Sequence, residues 1–547
     1  GVLCLGLGAF RIRRDVFHEQ LHWRGPKGAM VALGCVLGTI VLTYIVLTLW
    51  NVMRRAFGPA IQTFWLSAVV MAGCVLGLWV TQAHSASSAV KGTLNGGQSG
   101  QGSATKSNVL FIVVDTLRAD HLPLYGYGEV RTPHLDAFAK DAVRFDQAFV
   151  NASWTRPSFA SLLTGRLPSS HGVMAKNDAL PDALQTLPEV LQHSGFSTLG
   201  VVTNYNVAPY FNFQQGFDEY HYLEPNFVLG ADDVSAKLLL VQFLKQKIES
   251  WRAKQGRVEP GTAYQDARAV NQTVFQWLTR APQKPWFMFV GYMDPHDPYF
   301  EHPYNGTGYA RAAHLKPELN EAQRLRDLYD GEIGYWDTQF GALIHRLKAD
   351  KLYDDMVIVV TSDHGEEFGE HGGFWHGTTL YDEQLRVPLL IKLPRNQRGS
   401  EVVSHWVQSI DIMPTLLLKL GLEVPKGVQG GDVFEGTDLV YAEENHEGNV
   451  LEAVRERKDS GAYKLIRANE GNPRGLNATE LYEVGMDPKE KDDLASKQPQ
   501  VVQDVDKTLI KASKMARHAA VRRKPINIEH DEDAAAKLKA LGYMGDR

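Results

Sequence analysis

The sequence predicts an α/β protein with a mostly parallel central sheet flanked by helices. Two observations carry this expectation. Short apolar runs alternate with helical patterns between residue 108 and about residue 425. Two of those runs also end in metal-ligand chemistry. Val109-Leu110-Phe111-Ile112-Val113-Val114 leads into Asp115, and Met356-Val357-Ile358-Val359-Val360 leads into Asp363-His364-Gly365-Glu366. Uninterrupted apolar runs of this kind read as strands buried on both faces. Open parallel sheets bind ligands at the carboxyl ends of their strands. Two such ends bearing carboxylates and an imidazole point to a metalloenzyme rather than a binding module.

The other elements follow in order. Thr198-Leu199-Gly200-Val201-Val202, Trp286 to Tyr292 and Val387 to Lys392 read as further strands. Behind them come Asn204, then Asp294 with His296, expected on the same sheet edge as Asp115, Asp363 and His364. This arrangement makes 108–425 the catalytic domain. Within it, residues 231–254 read as an inserted helix with charge-rich flanks, a solvated surface helix or a lid. Residues 426–514 form a small C-terminal α+β subdomain. Its strands are Tyr463-Lys464-Leu465-Ile466 and Glu480-Leu481-Tyr482-Glu483-Val484. Residues 515–547 read as a polar, partly helical tail, and there is no internal repeat.

Composition narrows the function. The formal net charge of the 547 residues is -6, which leaves no global basic footprint for nucleic acid. The cysteines are Cys4, Cys35 and Cys74, so the predicted enzyme domain has no disulfide framework, thiolate zinc site or cysteine nucleophile. That composition suits an exported domain.

Residues 29–49 and 61–80 are apolar and uncharged, and each is long enough to cross a bilayer. Both are apolar around the whole helix, which argues against buried core helices. Residues 1–10 resemble the end of an earlier span. Residues 1–81 therefore read as a transmembrane anchor, and 82–107, rich in Ser, Gly, Gln and Ala, as a flexible linker. Arg11, Arg13, Arg14, Arg24 and Lys27 precede the first span, against Arg54 and Arg55 between the spans. Counting positive charge alone would put the enzyme domain in the cytoplasm. The segment after Val80 is poor in Lys and Arg, and large domains are exported regardless of charge. Together with the resemblance described next, this gives the expected location: a multi-pass membrane protein with its catalytic domain in the periplasm or outside the cell.

Thr155-Arg156-Pro157-Ser158-Phe159-Ala160-Ser161-Leu162-Leu163-Thr164-Gly165-Arg166 resembles the sulfatase signature, a Cys-x-Pro-Ser-Arg core followed by Leu-Thr-Gly-Arg. Other segments fit the same family in order: Asp115 to His121, Asp294-Pro295-His296, Ser362-Asp363-His364-Gly365, Leu380-Tyr381-Asp382 with Arg386-Val387-Pro388, Asp411 to Thr415, and Glu480-Leu481-Tyr482 with Asp487-Pro488. The ordered set resembles the sulfatase/alkaline phosphatase superfamily over roughly 108–495 and implies its alkaline phosphatase-like fold. The departures matter equally. Thr155 stands at the cysteine that becomes formylglycine, Phe159 at the signature arginine, and Thr116 at a second carboxylate. Thr203-Asn204-Tyr205-Asn206 replaces a segment with Lys and His. This looks like the threonine-nucleophile branch, which includes phosphodiesterases and membrane-anchored phosphoglycerol and phosphoethanolamine transferases.

The resemblance gives the residues roles. Thr155 becomes the nucleophile at a solvent-facing helix start, although its local pattern alone reads as an N-cap. Asp115, Thr155, Asp363 and His364 become a metal-ligand set suited to Zn or Mn better than Ca. His296 and His376 are candidates to bind a substrate oxygen or protonate the leaving group, or to hold a second metal with Asp294. Arg118, Asn204 and Arg156 are candidate substrate-binding residues, with His171 a weaker one, and His121 and His371 read as surface or structural residues. Formylglycine hydrate releases sulfate by collapsing to an aldehyde, which threonine cannot do. The expectation is therefore an enzyme that cleaves or transfers a phosphoester, on a lipid headgroup or envelope glycan. The alternatives are a sulfatase with a non-cysteine nucleophile and an inactive, membrane-bound scaffold.

Overall fold

Alternate side chains of β1 (Val109–Val114) enter two different cores, which places this strand at the middle of the architecture. Val109, Phe111 and Val113 pack on one face of the sheet, and Leu110, Ile112 and Val114 on the other. The computed structural model describes residues 107–225, 261, 263–280, 285–311 and 314–518, with isolated positions between 520 and 538. The apolar stretches 29–49 and 61–80, the linker 82–107 except its last residue, and the insertion 231–254 lie outside the described residues. Among those described, no helix is long and apolar enough to cross a membrane.

Seven further strands complete the sheet: β2 (Val143–Phe149), β3 (Ser197–Val202), β4 (Glu219–Tyr222), β5 (Trp286–Tyr292), β6 (Val357–Thr361), β7 (Arg386–Lys392) and β8 (Val402–Gln408). Their spatial order is β8-β2-β7-β6-β1-β5-β3-β4. Every pairing is parallel except those of β7 with β2 and β6. The expected mostly parallel sheet is present, with β2, β4 and β8 added. β1, β3, β5 and β6 share one direction, so Asp115, Asn204, Asp294 and Asp363 emerge at one edge.

Helices cover both faces. α1 (Thr155–Thr164) packs Phe159, Ala160, Leu162 and Leu163 into the core that holds Phe111. α2 (Ala267–Leu278) and α3 (Ala322–Ala349) cover the opposite face. The stripe Leu325, Tyr329, Ile333, Trp336, Phe340, Leu343 and Leu347 keeps helical spacing along α3. Each fully buried side chain of this size contributes about 1.5–3 kcal/mol.

The C-terminal strands β9 (Leu439–His446), β10 (Asn449–Lys458), β11 (Gly461–Ala468) and β12 (Thr479–Glu483) form an antiparallel sheet in sequence order. α4 (Pro499–His518) packs Val505 and Leu509 against Val454 and Leu465. This helix runs past residue 515, because Ala512 and Ala516 extend its apolar face. The expected tail boundary therefore falls inside a packed helix. The two sheets meet at Asp382, which accepts from Lys464 Nζ at 2.8 Å and pairs with Arg455. Lys464 Nζ also lies 2.6 Å from Glu490 Oε1.

Candidate active site

Asp115 follows β1 and is only 1% exposed. Its Oδ2 accepts from Asn204 Nδ2 at 2.7 Å, and its Oδ1 has no hydrogen-bond donor among the described residues. After β6, Asp363 Oδ1 accepts from the Thr116 N–H at 3.4 Å, and its Oδ2 likewise has no donor. His364 Nδ1 lies 2.9 Å from the Gly365 carbonyl oxygen, a contact that requires the proton on Nδ1 and leaves the Nε2 lone pair available. Nε2 is 3.6 Å from Asp115 Oδ1 and 3.3 Å from Asp363 Oδ2.

One ligand atom from each of these three residues lies within 4.8 Å of the others. Burial pushes the Asp115 carboxyl up to about 8. Burial, reinforced by Asp115, raises Asp363 well above the carboxylate range. Burial, then His376, holds His364 well below the usual imidazole value. Two buried carboxylates with donorless oxygens facing an imidazole lone pair fit a divalent cation, which would offset their mutual repulsion.

Thr155 differs from its expected setting. Trp154 is the N-cap, without a side-chain cap bond, and Thr155 is the first helical residue. It is fully buried rather than solvent-facing. Its Oγ1 lies 3.3 Å from His364 Nε2 and accepts from Asn204 Nδ2 at 3.3 Å. Asn204 thus bridges Asp115 and Thr155. The neighbouring Thr116 has φ 59, a strained left-handed conformation for a β-branched residue, at the junction of the two ligand-bearing strands.

Three imidazoles gather at this edge. The His364 and His376 rings are 4.4 Å apart, and those of His296 and His376 are 5.0 Å apart. His296 Nδ1 lies 2.6 Å from the Asp297 carbonyl oxygen. His376 Nδ1 lies 2.9 Å from Glu366 Oε1, and the other Glu366 oxygen accepts from Tyr299 at 2.9 Å. In each ring Nδ1 is the anchored nitrogen. Burial and His376 lower His296, while burial and Arg311 lower His376, so both rings are held neutral.

The second-metal expectation gains no support from the geometry. Among the described residues, Asp294, His296 and His376 do not form a metal-ligand group. Asp294 is buried beside Glu332 and Asp266, whose charges add to burial in raising its pKa, and it accepts from the Ala267 backbone at the start of α2. The two arginines expected at the substrate are engaged internally. Arg118 donates to both Asp120 oxygens at 2.9 and 2.8 Å, and to the Glu366 carbonyl and Glu370, each at 2.8 Å. Arg156 packs 3.6 Å over the Phe211 ring and donates to Asn206 Oδ1 at 2.8 Å and to the Lys176 carbonyl. His171 is held between Ser161 and the Val173 N–H. His121 and His371 pair with Asp330 at 2.8 Å and Glu383 at 2.6 Å, which are structural contacts. Phe159 explains its own departure from the signature. Its ring is in the core, 5.7 Å from Phe289.

The structure adds residues that the sequence pattern did not single out. Glu366 anchors His376. Arg311, 4% exposed, follows the hairpin of Tyr299–Phe300 and Gly308–Tyr309. From the C-terminal sheet, β9 brings Glu444 onto Ser153 at 2.6 Å and His446 onto Trp154, with ring centroids 4.5 Å apart. No motif marks Arg311 or His446. Glu366 alone sits in the motif already identified by its Asp and His.

The family model described as Sulfatase matches residues 107–422, which is more than half of the chain. The chain belongs to the sulfatase family. A second model, described as N-sulphoglucosamine sulphohydrolase, C-terminal, matches residues 369–518, across the seam between the two sheets. The sulfatase-family chain is 28% identical over 350 residues to the ulvan-active sulfatase of Formosa agariphila, covering 61% of this chain and 66% of that one. It is 25% identical over 439 residues to the choline-sulfatase of Rhizobium meliloti, covering 71% and 82%. Its fold matches the phosphonate monoester hydrolase of Silicibacter pomeroyi with a TM-score of 0.57 at 22% identity, over 75% of this chain and 96% of that one. Membership of the family supports an ester hydrolase, and the structural match supports the fold.

Proposed function

We propose that this protein cleaves phosphate or sulfate esters with Thr155 as nucleophile and a divalent cation held by Asp115, Asp363 and His364. One observation carries the reading: Thr155 Oγ1 lies within 3.3 Å of both His364 Nε2 and Asn204 Nδ2, beside the buried carboxylates. A cation bound there would lower the pKa of the Thr155 hydroxyl and draw charge from the ester oxygens. Thr155 Oγ1 forms a bond to phosphorus or sulfur as the bond to the leaving oxygen breaks. His376, anchored through Nδ1 by Glu366, takes the hydroxyl proton and returns it to the leaving oxygen, with His296 beside it. Water, or an alcohol in a transferase, then attacks the same centre and Thr155 leaves with a proton. Asn204 holds Thr155 and Asp115 in register throughout.

A threonine ester is resolved only by attack at phosphorus or sulfur, which favours phosphoesters. The family match and the ulvan-active and choline-sulfatase relatives favour sulfate esters as the second reading. Purified, metal-loaded protein assayed on bis(p-nitrophenyl) phosphate and p-nitrophenyl sulfate separates the two. Faster cleavage of the sulfate overturns the phosphoester preference. Equal turnover by Thr155→Ala and wild type overturns the nucleophile, and turnover of neither ester supports the inactive-scaffold alternative.

The apolar stretches 29–49 and 61–80 support a membrane anchor that holds this domain outside the cytoplasm, near lipid headgroups and envelope glycans. Protease added to intact cells should release the domain by cutting within 82–107. Cleavage only after lysis would place it in the cytoplasm.

A further inference from the structure

Tyr329 comes to the metal-ligand edge from α3, and one hydroxyl there spans a buried turn. Tyr329 Oη accepts from the Arg118 N–H at 2.9 Å and donates to the Thr116 carbonyl oxygen at 2.7 Å. Tyr329 and Thr116 are both fully buried. The tyrosine ring is held in place by Phe368 and His121, with ring centroids 5.0 and 5.1 Å away.

Thr116 is the residue in this turn that needs holding. Its φ of 59 crowds a β-branched side chain against its own backbone. Its hydroxyl offers no compensation, because Oγ1 has no hydrogen-bond partner among the described residues. Such a conformation persists only where the surroundings impose it. Much depends on it here. Asp115 directly precedes Thr116, the Thr116 N–H donates to Asp363 Oδ1 at 3.4 Å, and the Leu117 N–H donates to Ser362 Oγ at 2.9 Å. A Thr116 that relaxed to negative φ would rotate Asp115 against Leu117, which Ser362 holds.

We propose that Tyr329 is a positioning residue of the cation site: its hydroxyl keeps Thr116 left-handed and so keeps the Asp115 and Asp363 oxygens close enough to share one ion. The inference rests on the cation reading of Asp115, Asp363 and His364 and adds a residue outside that set. A tyrosine hydroxyl suits the task because it serves one donor and one acceptor at once. Phenylalanine in its place fills nearly the same volume, leaves both main-chain groups without this partner, and lets the turn relax.

The test titrates full-length, metal-free protein with Zn²⁺ and with Mn²⁺ by isothermal titration calorimetry. Tyr329→Phe should weaken binding about 10–100-fold, the usual cost of losing a partner behind the ligands. The double variant Tyr329→Phe/Thr116→Gly should recover part of that affinity, because glycine adopts a φ of 59 without strain. A hydroxyl that served only the fold would give no such rescue. Wild-type affinity in Tyr329→Phe would overturn the proposal, and so would a double variant that binds no more tightly than Tyr329→Phe. Failure of Tyr329→Phe to fold would assign the hydroxyl to the fold and overturn it as well. Amide hydrogen exchange separates this inference from the cation reading. The Thr116 and Leu117 amides should exchange about tenfold faster in metal-free Tyr329→Phe than in metal-free wild type. A wild-type chain that binds neither metal, with this acceleration present, sinks the cation reading alone. Unchanged exchange overturns the positioning role whatever the metal does.

Discussion

Thr155 Oγ1 lies 3.3 Å from His364 Nε2, joining the first residue of α1 to the end of β6. Thr155→Ala should remove nearly all turnover. The side chain makes no cap bond, so the cost in stability is that of its hydrogen bonds, about 1–2 kcal/mol. Thr155→Ser should keep partial activity because the hydroxyl remains. Turnover assays beside urea denaturation check both; a Thr155→Ala protein that is inactive because it is unfolded would leave the hydroxyl without a demonstrated role.

Asp363 offers an oxygen with no donor to the ligand set. Asp363→Ala should lose bound metal and activity together, measured by elemental analysis of the purified protein beside turnover. Metal at wild-type occupancy in this variant would show that the cation is held elsewhere.

Glu366 fixes the His376 ring through Nδ1 at 2.9 Å. Glu366→Ala should lower kcat by about 10–100-fold, the range found when a histidine loses its orienting carboxylate. Metal content should hold, and the pH profile of kcat should shift. Wild-type kcat would mean that the ring is oriented without Glu366.

Glu444 is buried against Ser153, and burial pushes its carboxyl from 4.5 to about 8, against hydrogen bonds from Ser153 and Asn445. A folded value above the unfolded one makes this contribution to stability complete below pH 4.5, and it is lost as pH rises through about 8. Within that window one such group removes about 1.4 kcal/mol per pH unit. Glu444→Gln should flatten the dependence, read from urea midpoints between pH 5 and 8. An unchanged slope would place the pH sensitivity in other groups.

Lys464 neutralises Asp382 and Glu490 at the seam between the sheets, at 2.8 and 2.6 Å. Lys464→Met leaves Asp382 to Arg455 but takes from Glu490 its ion-pair partner among the described residues, and should cost about 3–5 kcal/mol. Adding Glu490→Gln should restore part of the loss, because the uncompensated charge goes with it. A single variant as stable as wild type would show that water already reaches this network.

The catalytic edge was legible wherever local pattern decides the structure. β1 and β6 announce themselves as apolar runs because both of their faces are buried, and the residues behind them therefore fall on one edge. β2 was missed for the opposite reason: Arg144, Asp146 and Gln147 interrupt it because part of the strand stays accessible. The motif order located Thr155, but not its burial among His364 and Asn204, which come from two other strand ends far along the chain. Arg118 is paired with Asp120 two residues away, a local signal of an internal contact that the motif comparison passes over. Asp294 and His296 follow the same strand, yet the carboxylate turns to the start of α2 and the imidazole to His376. Arg311 and His446 reach the site through tertiary packing, which spacing does not encode.

β9 belongs to the C-terminal sheet, yet Glu444 and His446 lie against the two residues that precede the proposed nucleophile. The segment that looks like a self-sufficient catalytic domain in sequence therefore lacks one wall of its site. A chain cut near residue 425 would carry every proposed metal ligand and still leave Trp154 uncovered. During synthesis Ser153 and Trp154 lack these partners until residue 446 has emerged and folded back. The surroundings of the proposed nucleophile are thus completed by the last sheet to be synthesised, so the order of the chain sets the order in which that wall is built.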